Sequence, residues 1–114
     1  MPASALTEAI RRVVAGQSLT ASQTTEAFDV IMRGEGTPSQ IGALLAALAL
    51  KGETAAEVAG GARALRNAML PFADDDATTL VDTCGTGGGD VSTFNISTAA
   101  ALVAAGAGVR IAKH

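Results

Sequence analysis

Three times between residues 20 and 57 the chain writes Thr, two further residues, then Gln or Glu, ahead of a helix-forming run: Thr20-Ala21-Ser22-Gln23, Thr37-Pro38-Ser39-Gln40 and Thr54-Ala55-Ala56-Glu57. In such a capping box the hydroxyl accepts from an early helical N–H while the Gln or Glu reaches back to the N–H of the cap, so each box starts a helix at a defined residue. Pro38 reinforces the second box, because the first helical position has no N–H bond to lose. The stops are as clear as the starts. Gly16 follows the Leu6, Ile10, Val13, Val14 stripe, and Gly34 and Gly36 follow Phe28, Ile31 and Met32. Pro71 ends a last helix whose apolar face carries Val58, Ala62, Leu65 and Met69. The spacing predicts four short helices within residues 1–71.

The helix predicted over 38–51 is apolar on nearly every side. A helix of that kind needs cover all round, which four short helices supply only in part. The bundle is therefore expected to pack against another domain or a second subunit. Gly60-Gly61 inside a helix costs roughly 1 kcal/mol per Gly against Ala, a cost that close helix–helix contact would offset. Arg63 and Arg66 read as a solvated face pairing with Glu57 or Glu53 rather than as phosphate ligands.

Composition excludes several functions. The formal charge is −3 and the eight Lys and Arg are scattered, whereas nucleic-acid binding needs clustered basic residues. No nucleic-acid partner is expected. The longest strongly apolar run, Ile41 to Leu50, falls short of the roughly 18 residues that span a bilayer, so no membrane partner is expected either. Glu8 and the lack of an apolar run in the opening residues lead to the expectation of no secretory or transit signal. One cysteine, Cys84, forms no internal disulfide and suggests a reduced, cytoplasmic setting.

Phe72 to Thr78 (FADDDAT) reads as an acidic linker. Asp74, Asp75 and Asp76 are taken as solvated rather than metal-binding, since no other ligand stands near them. Beyond it the grammar changes. Thr79 to Thr83 reads as a strand, Ser97 to about Ala105 as a helix with Gly106 and Gly108 as its exit, and Val109 to Ala112 as a second strand. Strand, helix, strand with short connections implies a right-handed βαβ unit and a parallel sheet. Ligands of such sheets bind where the strand ends and the helix begins. Here that connection holds Gly85, Gly87, Gly88 and Gly89, then Thr93, Asn95, Ser97 and Thr98. Glycines allow close backbone approach, and a helix N-terminus favours anions, phosphate above all. Ser97 is placed to act as a weak oxygen ligand for Mg2+ carried in by a phosphate. Neither G-x-G-x-x-G nor G-x-x-x-x-G-K-[ST] occurs there. Two readings stay open, an anion cradle and a structural turn with an ordinary cap, and the first is preferred. Cys84 has no basic partner in the loop and reads as a small residue packed at a strand end rather than a nucleophile.

Residues 85–114, GTGGGDVSTFNISTAAALVAAGAGVRIAKH, resemble the anthranilate phosphoribosyltransferase family, whose signature runs GTGGD, TFNIST and KHGNR. Residues 43–66, ALLAALALKGETAAEVAGGARALR, are similar to that family's helical N-terminal segment. The resemblance implies an α/β protein: a small helical domain at 1–71 used for dimerisation, a linker at 72–78, and at 79–114 the start of a larger parallel-sheet domain that is incomplete in this chain. It implies transfer of phosphoribose from 5-phosphoribosyl 1-diphosphate (PRPP) to the amine of anthranilate, with release of pyrophosphate, in tryptophan biosynthesis, by a Mg2+-dependent homodimer. By the same resemblance Gly85 lies near anthranilate and the diphosphate. Gly88, Gly89, Thr93, Asn95, Ile96, Ser97 and Thr98 bind PRPP, Ser97 also meets Mg2+, and Lys113 approaches the phosphates. No catalytic residue is assigned, and the role of His114 stays open.

Gly89 stands where the family has Asp, with Asp90 one place later, a swap that leaves the Gly85-to-Asn95 spacing unchanged. The family's Gly-Asn-Arg, its acidic metal-binding pair and its anthranilate-binding Arg would lie past His114, so residues 1–114 alone are expected to show no turnover. Pyrimidine nucleoside phosphorylases are similar in fold and loop and form the enzymatic alternative. A non-catalytic helical dimerisation module is the other.

Overall fold

Every helix predicted from capping and periodicity is present in the computed structural model, which describes residues 4–71, 79–84 and 95–113. The chain divides into two units, Met1–Pro71 and Phe72–His114. The first holds α1 (Ala5–Val14), α2 (Ala21–Met32), α3 (Pro38–Lys51) and α4 (Ala55–Ala68), and the second holds α5 (Ile96–Gly106). The stretch 72–78, read as a linker with its Asp74–Asp76 run, lies outside the described residues.

All three boxes close as reciprocal pairs. Gln23 N donates to Thr20 Oγ1 at 3.2 Å while Thr20 N donates to Gln23 Oε1 at 2.9 Å. Thr37 and Gln40 repeat this at 3.3 and 3.0 Å, and Thr54 and Glu57 at 3.3 and 2.7 Å. Ser4 caps α1 by accepting from Thr7 N at 3.3 Å. Each cap satisfies donors that the first helical turn leaves without partners.

α1 packs against α2 and α3, and α2 packs most extensively on α4. Leu6, Ala9, Val13, Leu19, Ala27, Val30, Leu44 and Leu48 form the core, with Phe28 and Ile31 packed partly against it. Leu6 and Leu44 are wholly enclosed, each contributing about 2 kcal/mol of burial.

The faces turned inward differ from those expected. Val14 and Met32 are exposed, and α3 buries only Leu44 and Leu48, leaving Leu45 and Leu50 in the open. As expected of four short helices, the bundle covers α3 only in part, because its neighbour α1 covers a single side. α4 reverses its expected orientation. Val58, Ala62, Leu65 and Met69 are exposed, while Glu57, Gly60, Gly61 and Ala64 face inward.

The reason is the approach of α2. A Cβ at Gly60 would overlap the carbonyl oxygen of Ala21 and lie 2.7 Å from Thr24 Cβ. Thr25 Oγ1 also donates to Gly60 O at 3.0 Å. Larger side chains on that face would push the two helices apart, so the small residues are inside. The close contact that offsets the glycine cost is thus within the chain.

Glu57 also stands elsewhere than expected. It is not a solvated partner of Arg63 or Arg66 but is 3% exposed and takes four donors. Leu19 N reaches Oε1 at 2.9 Å; Lys51 Nζ, Thr54 N and Thr54 Oγ1 reach Oε2 at 2.9, 2.7 and 2.9 Å. Gly52, at φ +83°, makes the turn after α3 that returns Lys51 towards this carboxylate, and Lys51 Nζ also donates to Gly52 O at 2.7 Å.

In the second unit a single parallel bridge joins Val81 to Ile111, on either side of α5. Val81 N donates to Arg110 O at 3.0 Å and Ala112 N to Val81 O at 3.1 Å. Among the described residues no longer strand forms at 79–83 or 109–112. α5 begins at Ile96, one residue before its expected start, and ends at Gly106.

Candidate functional site

Gly85, Gly88, Gly89, Asp90, Thr93 and His114 lie outside the described residues, as does Gly87. The described part of the site is the first turn of α5 with the two segments that meet at the Val81–Ile111 bridge. Because the pairing is parallel, Thr83 and Lys113 each stand two residues past the bridge and at the same end of it. Lys113 is exposed there.

Asn95 is the N-cap of α5. Its Oδ1 accepts from Thr98 N at 3.1 Å and from Ser97 Oγ at 3.0 Å. The carbonyl of Ser97 accepts from Thr83 Oγ1 at 2.7 Å. The peptide group joining Ser97 to Thr98 is therefore held at both ends, its oxygen by Thr83 and its N–H by Asn95. By sequence alone Thr83 is a strand residue and nothing more. Its partner is 14 residues away, a distance that no local pattern reports.

Donor accounting separates the roles these groups can take. Of the first-turn amides, that of Thr98 is used by the cap, while helix geometry gives those of Ile96 and Ser97 no intrahelical acceptor. Those two N–H groups, at the positive end of the helix, suit an anion. Asn95 has committed its oxygen, so its amide nitrogen is what it can offer a ligand. Ser97 has one hydroxyl proton and spends it on Asn95, leaving lone pairs on Oγ. Lone pairs repel phosphate oxygens and suit a cation. Ser97 thus fits a Mg2+ ligand better than a phosphate donor.

Ser97 fits as one ligand to an ion that arrives with its own oxygens, not as a complete site: among the described residues no three His, Cys, Asp or Glu cluster to hold a metal. Cys84 is exposed rather than packed, since no described element covers the segment past Thr83. No helix among the described residues is long and apolar enough to cross a membrane.

A helical bundle followed by an anion-suited helix N-terminus defines a class that comparison with known proteins makes specific. Residues 7–69 match the model of the glycosyl transferase family, helical bundle domain, and residues 77–114 match that of the glycosyl transferase family, a/b domain. The chain belongs to the glycosyl transferase family. It is similar to anthranilate phosphoribosyltransferase of Moorella thermoacetica, 54% identical over 105 residues that make up 92% of this chain and 31% of the relative. The enzyme of that name from Methanosphaerula palustris is 54% identical over 94% of this chain and 32% of its own length. The crystal structure of anthranilate phosphoribosyltransferase from Thermus thermophilus superposes with a TM-score of 0.71 at 40% identity, covering 93% of this chain and 32% of that one. The chain thus spans about a third of the length of the relatives it matches.

Proposed function

We propose that this chain supplies the helical domain and the first βαβ unit of an anthranilate phosphoribosyltransferase, which joins the anthranilate amine to the ribose C1 of PRPP and releases pyrophosphate in tryptophan biosynthesis. The observation that carries this reading is the first turn of α5, where Asn95 Oδ1 is taken up by Thr98 N and Ser97 Oγ, which leaves the Ile96 and Ser97 amides, the Asn95 amide nitrogen and the Ser97 lone pairs to suit a metal-bound diphosphate. The names of the relatives support the same substrates, and the bridge flanking α5 supports the βαβ reading.

In this proposal the Ile96 and Ser97 N–H groups and Lys113 bind diphosphate oxygens, with the backbone of Gly85, Gly88 and Gly89 and the side chains of Thr93 and Thr98 completing the grip. Gly85 also meets anthranilate. Ser97 Oγ holds Mg2+, which when bound neutralises charge on the diphosphate. As the C1–O bond breaks, negative charge grows on the leaving pyrophosphate, and donors fixed beforehand stabilise it without reorganising. The same donors hold C1 in line for the amine. The setting is cytoplasmic, in keeping with a free Cys84.

The test is loss of anthranilate fluorescence on adding PRPP and Mg2+ to the protein expressed from its complete reading frame. Enzyme-dependent loss is expected. Ser97→Ala should raise the Mg2+ concentration for half-maximal rate by about tenfold, as for a lost contact to a charged group. Phosphorolysis of thymidine or uridine without anthranilate loss would transfer the protein to the nucleoside phosphorylases; neither activity would favour a non-catalytic module.

The helical domain is proposed to form a homodimer through the exposed apolar side of α4. Val58, Leu65 and Met69 there are each more than half exposed, at 60, 52 and 58%, and support a partner surface. Light scattering after size exclusion should give twice the chain mass for the wild type and the chain mass for Leu65→Glu. A monomeric wild type would remove this part of the proposal.

A further inference from the structure

We propose that Thr83 is a positioning residue for the diphosphate site, acting through the Ser97–Thr98 peptide group. The inference rests on the PRPP reading above and extends it to a residue with no assigned role.

Thr83 Oγ1 donates to Ser97 O at 2.7 Å, the shorter of the contacts that hold this peptide group. A hydroxyl has one proton to give, and here a carbonyl is its acceptor, so the direction of the bond is settled. A carbonyl in the second helical position already accepts from the amide four residues on; Thr83 is an additional donor to its second lone pair. Drawing electron density towards the oxygen strengthens the N–H at the other end of the same peptide, which is the one Asn95 caps. Asn95 in turn takes the Ser97 proton. One chain of bonds therefore runs from Thr83 through the peptide to Asn95 and back to Ser97, and it decides where the Ser97 lone pairs and the two unused amides point.

Thr83 can do this because it stands two residues past the bridge that pairs Val81 with Ile111. That bridge joins its segment to the one that carries Lys113, while its side chain is tied to α5. A single hydroxyl thus relates the first turn of α5 to the paired backbone on either side of it. The role needs the hydroxyl and not the bulk of the side chain.

The test compares Thr83→Val, Thr83→Ala and Thr83→Ser in the protein expressed from its complete reading frame, by steady-state kinetics and direct PRPP titration with Mg2+. Val keeps the shape and loses the hydroxyl, Ala loses both, and Ser keeps the hydroxyl. Val and Ala are expected to raise the PRPP KM and Kd by about three- to tenfold, with the anthranilate KM unchanged. Ser should remain within about twofold of wild type. A purely structural Thr83 would lower the melting temperature and leave the PRPP and anthranilate KM values moving together, and that outcome overturns the inference. If the wild type binds PRPP and Val and Ala bind it equally well, Thr83 has no positioning role while the proposed function stands. If the wild type neither binds PRPP nor consumes anthranilate, the proposed function fails and this inference fails with it.

Discussion

Glu57→Ala is expected to lower the stability of the helical unit by about 3–5 kcal/mol, the cost of breaking a buried ion pair from one side. The Glu57 side chain is 1% exposed and that of its partner Lys51 11%. Removing the carboxylate leaves the buried Leu19 amide without its acceptor and takes the counter-charge from the Lys51 ammonium, which keeps its bond to Gly52 O. Gln should be nearly as damaging as Ala. Its amide nitrogen would face donors from Lys51 or Thr54 wherever it replaced Oε2. In a unit of this size the melting temperature should fall by about 15 °C or more.

The pH dependence carries its own signature. Burial pushes the Glu57 carboxyl upward, but the Leu19 and Thr54 amides, the Lys51 ammonium and the Thr54 hydroxyl outweigh burial and hold it at about 2 against 4.5 unfolded. A folded-state value below the unfolded one means the unfolded chain takes up the proton first. The contribution, about 3 kcal/mol, is complete above the unfolded value and disappears as pH falls from about 4.5 to about 2. Urea melts of wild type and Glu57→Gln should therefore differ widely at pH 7 and converge near pH 2. A gap that stays constant across that range would show that Glu57 is not an ionised acceptor in the fold.

Gly60→Ala is expected to destabilise by about 2 kcal/mol, although Ala is the better helix former by about 1 kcal/mol. The new methyl would overlap the Ala21 carbonyl oxygen and sit 2.7 Å from Thr24 Cβ, so α2 and α4 must separate. The neighbouring glycine gives the opposite result. A Cβ at Gly61 lies 3.8 Å from the Phe28 ring, an ordinary contact, and Gly61→Ala should stabilise by up to about 1 kcal/mol. Thermal melts of the two variants should move in opposite directions. If Gly60→Ala melts with the wild type, the two helices do not meet at this glycine.

These two positions also mark the limit of what periodicity reports. Val58, Ala62, Leu65 and Met69 form an apolar stripe by spacing, yet the opposite side of α4 is buried. A stripe says that a face prefers to leave water, not which neighbour arrives. Glu57 belonged legibly to a capping box, but its two further partners are 38 residues before it and 6 residues before it. The site divides the same way. Ser97 in the first turn follows from the residues themselves, whereas Asn95 as the cap and the proton that Ser97 spends on it, and with that the choice between phosphate donor and cation ligand, appear only once the bonds are seen.

What the sequence determined by itself is where α2, α3 and α4 begin and, within a few residues, where the helices stop, because a cap, a proline or a glycine acts on backbone groups within about four residues. Tertiary structure decided which side of α4 is inside, why Glu57 is ionised in the interior and what holds the Ser97 peptide. Each of those depends on groups far apart in the chain meeting at distances of 3 Å or less. The free energy of burial and of pairing belongs to that meeting, and no single stretch of residues carries it alone.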